Sequence, residues 1–474
     1  NMRTVAVIIA AIITFILYAW KTPSVRKSLI VAFIVLAIGL LCGIWVKERV
    51  TNTVYAVADE GFLSVNDYAG HIQTFKDLLS LQGIKDLFLS SIGKLYYLVV
   101  ASFGLFIPGI DVPGHSLAAL VAYPELACMN APKAVNVGNE FYTQEENSLC
   151  VGKDFTFEFM DKVLTEVAAL FPDEYVHIGG DECFKGFWHK CPDCQARMRA
   201  ENLKDEEELQ SYFIHRMGDL LKSKGKKLVG WDEILEGGLA PDANVMSWRG
   251  MDGGIKAAKA GHHVIMTPTN HCYIDFWQGE PSVEPATYAM CRLKDSYSFN
   301  PVPEGVPAEM ILGGQGNLWA ESVPTFRHAE YMTWPRGWAL AEVLWSGPAN
   351  CNWSGFWPRV EKHFKRADLA NINYARSIYN AIIRPYLQDG VLMVELDSEI
   401  EGIDIYYTFD NTDPDQYTPK YIEPLGIPKN ATWFRVVTYR DGKPVGKVIT
   451  LTIEELKQRA QRDKRVTHGN LNIN

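Results

Sequence analysis

Two adjacent acidic residues directly follow a short apolar run and a pair of glycines. The run is His177-Ile178-Gly179-Gly180-Asp181-Glu182. Glycines at such a point let a bulky ligand approach the backbone closely. Because neighbouring positions on a strand diverge, the two carboxylates would not face each other across a glycosidic bond as an ordinary retaining pair does. The pattern therefore favours a substrate-assisted reaction, in which a 2-acetamido group of the substrate replaces the second carboxylate.

Each acid would have its own role in that reaction. Glu182 would protonate the leaving oxygen, and Asp181 would hold the acetamido N–H and stabilise the charge that develops on it. An isolated Asp-Glu pair is usually a solvated surface feature, but the preceding strand and glycines favour a functional role here. His115, after Pro113-Gly114, would tune the proton affinity of Glu182 from a neighbouring strand end. A loop histidine without a catalytic role is the alternative.

Aromatic and acidic residues also follow the other predicted strands. Trp231, Trp248 and Trp319 would wall an apolar pocket for a methyl group, although a single tryptophan is more often part of a core. Tyr273 would donate its hydroxyl to the acetamide carbonyl. Charged acceptors for sugar hydroxyls are available at Asp275 and Glu321. Six strand ends in succession reach such residues, and hydrophobic strands have no structural need for them: Asp111/His115, Asp181/Glu182, Trp231-Asp232-Glu233, Trp248-Arg249, Tyr273/Asp275 and Trp319/Glu321.

From about residue 105, short apolar runs alternate with amphipathic segments. The runs predict strands at residues 106–110, 175–178, 228–231, 245–248, 264–267 and 311–315. Apolar residues at helical spacing predict helices at 155–170, 206–224 and 255–260. Such alternation predicts a parallel sheet or a (β/α) barrel, in which the chemistry lies at the carboxyl ends of the strands.

The region after Trp345 changes its pattern at about residue 390. We predict two further helices at 356–367 and 373–383. Strand patterning follows at 391–396, 403–409, 434–439 and 447–452, and it indicates a small all-β domain of sandwich type over 386–456. The charged tail from Glu454 is expected to be helical and then frayed, with 457–474 as a separate tail.

Two uncharged apolar runs lie near the N-terminus, at residues 5–20 and 28–46. The second is long enough to span a bilayer and the first is marginal. Lys21, Arg26 and Lys27 lie between them and indicate a cytoplasmic loop. A signal peptide is the alternative for the first run, but no small-residue cleavage site follows it. We interpret residues 1–50 as a transmembrane hairpin and 51–104 as a helical membrane-associated or linker region.

Composition narrows the class of partner. The net charge of −10 argues against nucleic acid, because a phosphate-binding surface would be basic. The 13 tryptophans suit a sugar-binding cleft and a large core equally well. Cys191-Pro192-Asp193-Cys194, with Cys183 upstream, could be half of a zinc site. Since no second close pair follows, we expect a thiol cluster or a disulfide instead, and neither a metal nor a cofactor.

Taken together, these residues resemble the family 20 glycoside hydrolases, the β-N-acetylhexosaminidases, over about residues 105–385. The matching stretches are Ile110-Asp111-Val112-Pro113-Gly114-His115, His177–Glu182, Gly230-Trp231-Asp232-Glu233, Ser247-Trp248-Arg249-Gly250, Tyr273-Ile274-Asp275 and Leu318-Trp319-Ala320-Glu321. The tail around Tyr406-Tyr407-Thr408-Phe409-Asp410 is similar to a C-terminal module often attached to these enzymes.

The resemblance implies a (β/α)₈ TIM-type barrel that removes terminal β-linked N-acetylglucosamine or N-acetylgalactosamine from glycans with retention, through an oxazolinium intermediate. It implies that Asp181 orients the acetamide, that Glu182 is the general acid and base with Tyr273 as its helper, and that His115 supports the acid. The tryptophans would form the acetamido pocket and aglycone wall, with Asp111, Asp275 and Glu321 as further substrate-binding acids.

Two elements of that family pattern are not recognisable in residues 1–104. The first is the opening barrel strand, which brings an arginine to the sugar. The second is the strand-two loop, which brings an aspartate to the histidine. We therefore expect a barrel without its first two strands, and as the alternative function a catalytically impaired glycan-binding or structural membrane protein.

A third apolar run at 98–108 is either a membrane span or barrel structure. Because such enzymes normally work outside the cytoplasm, we prefer barrel or interfacial structure. That choice predicts a membrane-anchored catalytic domain in the periplasm or at the cell surface.

Overall fold

The computed structural model describes residues 110–129, 131–133 and 147–466. The predicted membrane segments, the apolar run 98–108 and nearly all of the strand predicted at 106–110 lie outside these residues. None of the helices in the described ranges has both the length and the apolar character that a membrane crossing needs.

Five short strands form a parallel sheet in which each strand pairs with the next along the chain. They are β1 (Tyr175–His177), β2 (Lys227–Trp231), β3 (Asn244–Ser247), β4 (Val264–Met266) and β5 (Ile311–Gly314). All five lie where the alternation of apolar runs predicts them. The N–H groups of Ile110 and Val112 donate to the carbonyls of His177 and Ile178, both at 2.9 Å. The end of the remaining predicted strand, at 106–110, therefore runs beside β1.

The central strands are buried on both faces, which is typical of a parallel sheet covered by helices. Every residue of β3 and β4 is buried, and so are four of the five residues of β2. Eleven helices of the described residues precede, separate or follow the five strands: α1 (Leu117–Ala122), α2 (Asp154–Leu170), α3 (Gly186–Lys190), α4 (Pro192–Ala200), α5 (Glu206–Ser223), α6 (Asp252–Lys259), α7 (Thr269–Cys272), α8 (Leu293–Tyr297), α9 (Phe326–Thr333), α10 (Arg336–Ser346) and α11 (Trp353–Leu369).

Helix α5 shows how local sequence sets these elements. The side chain of Asp205 caps its N-terminus by accepting from the Glu208 N–H at 2.9 Å, and three glutamates fill the first turn, where the helix dipole favours negative charge. Its apolar residues recur at helical spacing and are buried against β2. Gly225, with a φ of +72°, ends the helical run directly before β2.

The prediction of a second helix after Trp345, at 373–383, is wrong. This segment instead contains a short 3₁₀ turn at Ser377–Tyr379 and the start of a strand at Ile382. Tertiary hydrogen bonds hold the chain extended, because the Tyr379 carbonyl accepts from Thr438 Oγ1 at 2.5 Å and Asn380 Oδ1 accepts from the Lys447 N–H at 2.9 Å. These partners are about sixty residues away, so local periodicity carries no sign of them.

The C-terminal module consists of two small antiparallel sheets over one apolar core. Its strands are β6 (Ile382–Gln388), β7 (Val391–Asp397), β8 (Asp404–Thr408), β9 (Leu425–Gly426), β10 (Trp433–Arg440), β11 (Lys443–Pro444) and β12 (Ile449–Thr452). The four predicted strands are present, whereas β6, β9 and β11 were not predicted. A final helix, α12 (Ile453–Val466), packs on β6, and its Arg459 forms two hydrogen bonds, at 2.7 and 2.9 Å, with the buried carboxylate of Glu280.

The buried face of α5 gives a matched stability test. Leu221 is fully buried, whereas Leu369 at the end of α11 is 87% exposed. We expect Leu221→Ala to lower the free energy of unfolding by about 2–5 kcal/mol, because it leaves a cavity under β2. The same change at Leu369 should alter it by less than about 0.5 kcal/mol. Equal shifts in the urea midpoints of the two variants would contradict this packing.

Candidate active site

The chain makes a sharp turn where β1 ends. Gly179 and Gly180 have φ angles of +75° and +94°, and Glu182 follows with a φ of +45°. A Cβ on Gly179 would lie 2.0 Å from Oδ1 of Asp111. Glycine is therefore required at this position, both for the backbone conformation and for the approach of the neighbouring loop. Left-handed backbone at a residue such as Glu182 costs free energy and is common at functional sites.

The loop that carries His115 packs directly on this turn. A Cβ on Gly114 would lie 2.9 Å from the carbonyl oxygen of Asp181, so the two backbones are in contact. His115 also has a left-handed backbone, with a φ of +47°. Its Nε2 lies 3.4 Å from Oδ2 of Asp181 and 3.4 Å from Oε2 of Glu182. The fold thus brings together the three residues that the sequence assigned to proton transfer and acetamide binding.

Burial and the carboxyl groups around His115 shift its pKa, and burial and the neighbouring charges shift the pKa of Asp111. Burial lowers the pKa of His115, but hydrogen bonds with Asp181 and Glu182 outweigh it and raise the pKa to about 11. His115 is therefore a cation at neutral pH. Asp111 lies beside them and is partly exposed, yet desolvation and the Asp181 carboxylate raise its pKa to about 8. One cation thus faces three carboxyl groups.

The two carboxylate oxygens of Asp181 have different surroundings. Its Oδ2 faces His115, whereas its Oδ1 is buried, and no donor from the described residues reaches it. A buried carboxylate oxygen without a donor carries a desolvation cost. A ligand N–H at this position would remove that cost.

The predicted aromatic residues form one continuous wall. The ring of Trp231 lies 5.9 Å from that of Trp319, and Trp319 lies 6.1 Å from Tyr273. Trp248 stacks on Tyr273 at 6.2 Å with an interplanar angle of 21°. Trp231 and Tyr273 are buried, and Trp248 and Trp319 are half-buried. Burial raises the pKa of Tyr273, so its hydroxyl stays protonated and can donate a hydrogen bond.

Asp275 and Glu321 also lie near each other. Asp275 is 6% exposed, and burial raises its pKa to about 7, with a smaller contribution from the Glu321 carboxylate. No partner among the described residues reaches Oδ1 of Asp275. Glu321 is exposed. Oδ1 of Asp275 is thus available to bind a hydroxyl group.

Arg336, at the start of α10, is a supporting residue that the sequence analysis missed. It is fully buried, and its guanidinium donates to four backbone carbonyls, those of Ile274, Phe276, Cys291 and Met332, at 2.5–2.9 Å. Arg336 therefore fixes the segment that carries Tyr273 and Asp275. An arginine inside an apolar helix pattern was the available signal.

Glu233 positions the aromatic wall. Its Oε2 accepts from Nε1 of Trp248 at 2.9 Å. Burial, and then the Asp232 carboxylate, raise the pKa of Glu233 to about 9. Asp232 accepts from Nε of Arg249 at 2.8 Å. The acidic pair Asp232 and Glu233 therefore fixes the side chains of Arg249 and Trp248.

Tyr288 is a further residue that the sequence analysis missed. It is 63% exposed and packs edge-on against Phe276 at 5.0 Å. Desolvation and the carboxylates of Asp275, Glu321 and Glu182 raise its pKa. Tyr288 therefore stands at the rim of the same cleft.

The grouping of cysteines differs from the one considered above. Cys183 does not join Cys191 and Cys194, and its Sγ instead donates to Oγ of Ser148 at 3.6 Å. Cys128 and Cys150 take its place in the cluster.

Comparisons with known proteins agree with this fold. A family model described as "Glycosyl hydrolase family 20, catalytic domain" matches residues 105–348, and one described as "Fn3 associated" matches 394–453. A crystal structure of an exo β-N-acetylglucosaminidase of this family from Vibrio harveyi, in complex with N-acetylglucosamine, is similar with a TM-score of 0.53. It has 32% sequence identity and covers 60% of this chain and 46% of its own.

Two curated relatives carry the description beta-hexosaminidase. The one from Porphyromonas gingivalis is 48% identical over 273 residues, which is 56% of this chain and 35% of the relative. The one from Vibrio furnissii is 37% identical over 242 residues, which is 50% of this chain and 39% of the relative. This chain therefore spans little more than a third of the length of these two relatives.

The fold and the solved relative define a TIM-type barrel with an acidic, aromatic-walled site at the carboxyl ends of its strands, followed by an all-β module. Because the catalytic-domain model covers more than half of the 474 residues, the chain belongs to glycosyl hydrolase family 20.

The raised pKa of Asp275 predicts that the free energy of unfolding decreases as the pH rises. The folded-state value of about 7 lies above the ordinary value of 3.8, so the folded protein keeps a proton that the unfolded chain releases. Stability falls between these two pH values and is flat above them. We expect Asp275→Asn to leave the free energy of unfolding unchanged near about pH 4 and to raise it by a few kcal/mol, on the order of 1–4, above about pH 7.

Asp389 is an exposed aspartate in the C-terminal module and offers the matched control. Asp389→Asn should show no such pH-dependent gain in urea unfolding. A gain at Asp275 that is the same at both pH values would contradict the assigned desolvation.

Proposed function

We propose that the protein is an exo-β-N-acetylhexosaminidase that hydrolyses terminal β-linked N-acetylglucosamine or N-acetylgalactosamine from glycans. The observation that carries this proposal is the His115–Asp181–Glu182 group, in which both acids meet one cationic imidazole and a buried oxygen of Asp181 has no donor in the described chain. The curated relatives that share this region carry the description beta-hexosaminidase.

The first step forms a cyclic intermediate. Glu182, which is about one-third exposed to the cleft, donates its proton to the glycosidic oxygen as the bond to C1 breaks. The carbonyl oxygen of the substrate's own acetamide attacks C1 from the opposite side. Oδ1 of Asp181 accepts the acetamido N–H and stabilises the positive charge of the resulting oxazolinium ion. The hydroxyl of Tyr273 orients the acetamide oxygen.

The second step restores the enzyme. Glu182, now a carboxylate, takes a proton from water as the water oxygen attacks C1 and opens the ring. Two displacements at C1 retain the β configuration. Trp231, Trp248 and Trp319 enclose the acetamido methyl group and keep bulk water away from the intermediate. Asp275 and Glu321 accept hydrogen bonds from the sugar hydroxyls.

Membrane attachment through residues 1–50 and a periplasmic or cell-surface location are part of this proposal. They rest on the charge and length pattern of residues 5–46 and on the interpretation of residues 98–108 as barrel or interfacial structure.

Hydrolysis of 4-nitrophenyl N-acetyl-β-glucosaminide tests the assignment. We expect Glu182→Gln to lower kcat by about 10²–10⁴, because the leaving oxygen loses its proton donor. A substrate with a more acidic phenol should lose less, since it needs less protonation. Glu423→Gln, at an exposed glutamate of the C-terminal module, should behave as wild type.

The same assay separates the two functional hypotheses. Equal turnover by wild type and Glu182→Gln would exclude the mechanism. N-acetylglucosamine binding by the wild type without any turnover would favour the alternative, a glycan-binding protein with an impaired site.

Tyr288 gives a prediction about the leaving-group sugar. An exposed aromatic ring near Glu182 is well placed to stack on the sugar that departs on the side of the acid. We expect Tyr288→Ala to raise KM for N,N′-diacetylchitobiose several-fold, on the order of 1 kcal/mol of binding, and to affect an alkyl glycoside less. Tyr417→Ala, at an 86% exposed tyrosine, is the control. An equal change in KM for both substrates would exclude the stacking role.

A further inference from the structure

Four cysteines from three separate segments bring their sulfur atoms together beside the loop that follows β1. The Sγ atoms of Cys128, Cys150, Cys191 and Cys194 all lie within 4.8 Å of one another. The separation is 3.6 Å for Cys150–Cys194 and 3.7 Å for both Cys128–Cys194 and Cys150–Cys191. Three of the side chains have no exposed surface, and Cys128 is 9% exposed. The cluster shares no residue with the acidic and aromatic groups of the candidate active site.

These separations fit a tetrahedron of thiolates around one metal ion. Four sulfurs at the Zn–S distance of about 2.3 Å lie about 3.8 Å from one another in a tetrahedron. A disulfide would instead hold two sulfurs about 2.05 Å apart. Cys150 and Cys194 each lie within 3.7 Å of two other sulfurs, so the contacts form a connected group and do not divide into two pairs.

The surrounding backbone is built for thiolates. Cys191 occupies the N-cap position of α4, and Pro192 follows at the first helical position. Cys194 lies in the first turn, where the helix dipole favours negative charge. A Cβ on Gly152 would lie 2.2–2.6 Å from backbone atoms of Asp193 and Cys194. Only glycine therefore lets the Cys150 segment lie against the Cys191–Cys194 turn.

Two cations are fixed next to the cluster. Nζ of Lys153 donates to the carbonyl of Ala127 at 2.6 Å, directly before Cys128. Nη2 of Arg197 donates to the carbonyl of Gly152 at 3.4 Å. Four thiolates and one divalent ion carry a net charge of −2, so nearby positive groups lower the cost of burying the site.

We propose that Cys128, Cys150, Cys191 and Cys194 bind one structural Zn²⁺ ion. Four protein ligands complete the tetrahedron and leave no open position, so the ion is structural rather than catalytic. It joins segments that are distant in the chain. One of them borders the His115 loop, because the Leu149 N–H donates to the carbonyl of Pro113 at 2.9 Å. The ion therefore fixes the outer side of the loops that form the acidic group.

Metal analysis of the purified full-length chain tests the proposal. We expect about one zinc ion per chain and at least a tenfold lower content in Cys194→Ser. Cys183→Ser is the matched control, because Cys183 is also buried and close in sequence but contacts Ser148 instead. His115→Ala should also keep its zinc, which excludes a site at the acidic group.

A second measurement uses only the wild-type protein, so its outcome does not depend on whether a variant folds. Wild-type protein depleted of metal and loaded with Co²⁺ should show the thiolate-to-cobalt charge-transfer band and the intense visible bands of a tetrahedral tetrathiolate site. Removal of the metal by chelation should lower the Tm, and added Zn²⁺ should restore it. Metal-free protein with two disulfides among these four cysteines, or zinc retained in Cys194→Ser, would overturn the proposal.

Discussion

A single cationic imidazole lets two carboxylates share one small site. Nε2 of His115 is 3.4 Å from an oxygen of Asp181 and 3.4 Å from an oxygen of Glu182. Without that cation, the two adjacent carboxylates would repel each other. The interaction requires two loops in backbone contact, and this is why Gly114 and Gly179 lie at the contact and why His115 and Glu182 take left-handed conformations.

Packing in the rest of the barrel offsets the unfavourable free energy of the strained backbone and the desolvated acids. Strained backbone and desolvated acids persist only where surrounding packing determines their positions. Fully buried helix faces, such as that of α5 against β2, provide the packing. Buried polar groups then hold the strand ends in place. Arg336 does this through four carbonyls, and Glu233 does it through the indole of Trp248.

The acids of the site lie in different electrostatic surroundings. Desolvation raises the pKa of Asp275 to about 7, whereas His115 faces the other acidic group with its positive charge. Hydrogen bonds from a bound sugar would replace the water that Asp275 has lost. A ligand that binds in this way would stabilise the folded protein, because it would bind the folded state alone.

Much of this protein could be predicted from the sequence, because strand ends in a parallel sheet converge by construction. The apolar runs located β1 to β5. The residues that follow the six predicted strands, from His115 to Glu321, indicated the candidate site. The membrane segments predicted from residues 5–46 lie outside the described residues and stay predictions.

What only the tertiary structure decided depends on contacts between distant residues. The segment 373–383 has a helical pattern, yet Thr438 and Lys447 hold it extended. Arg336 stands out in an apolar helix pattern, but its role as a support appears only in the fold, where four carbonyls meet around it. The Cys-x-x-Cys pair at 191–194 implied half of a cluster. The other half, Cys128 and Cys150, lies 41–66 residues earlier in the chain and joins it only because the fold closes those loops.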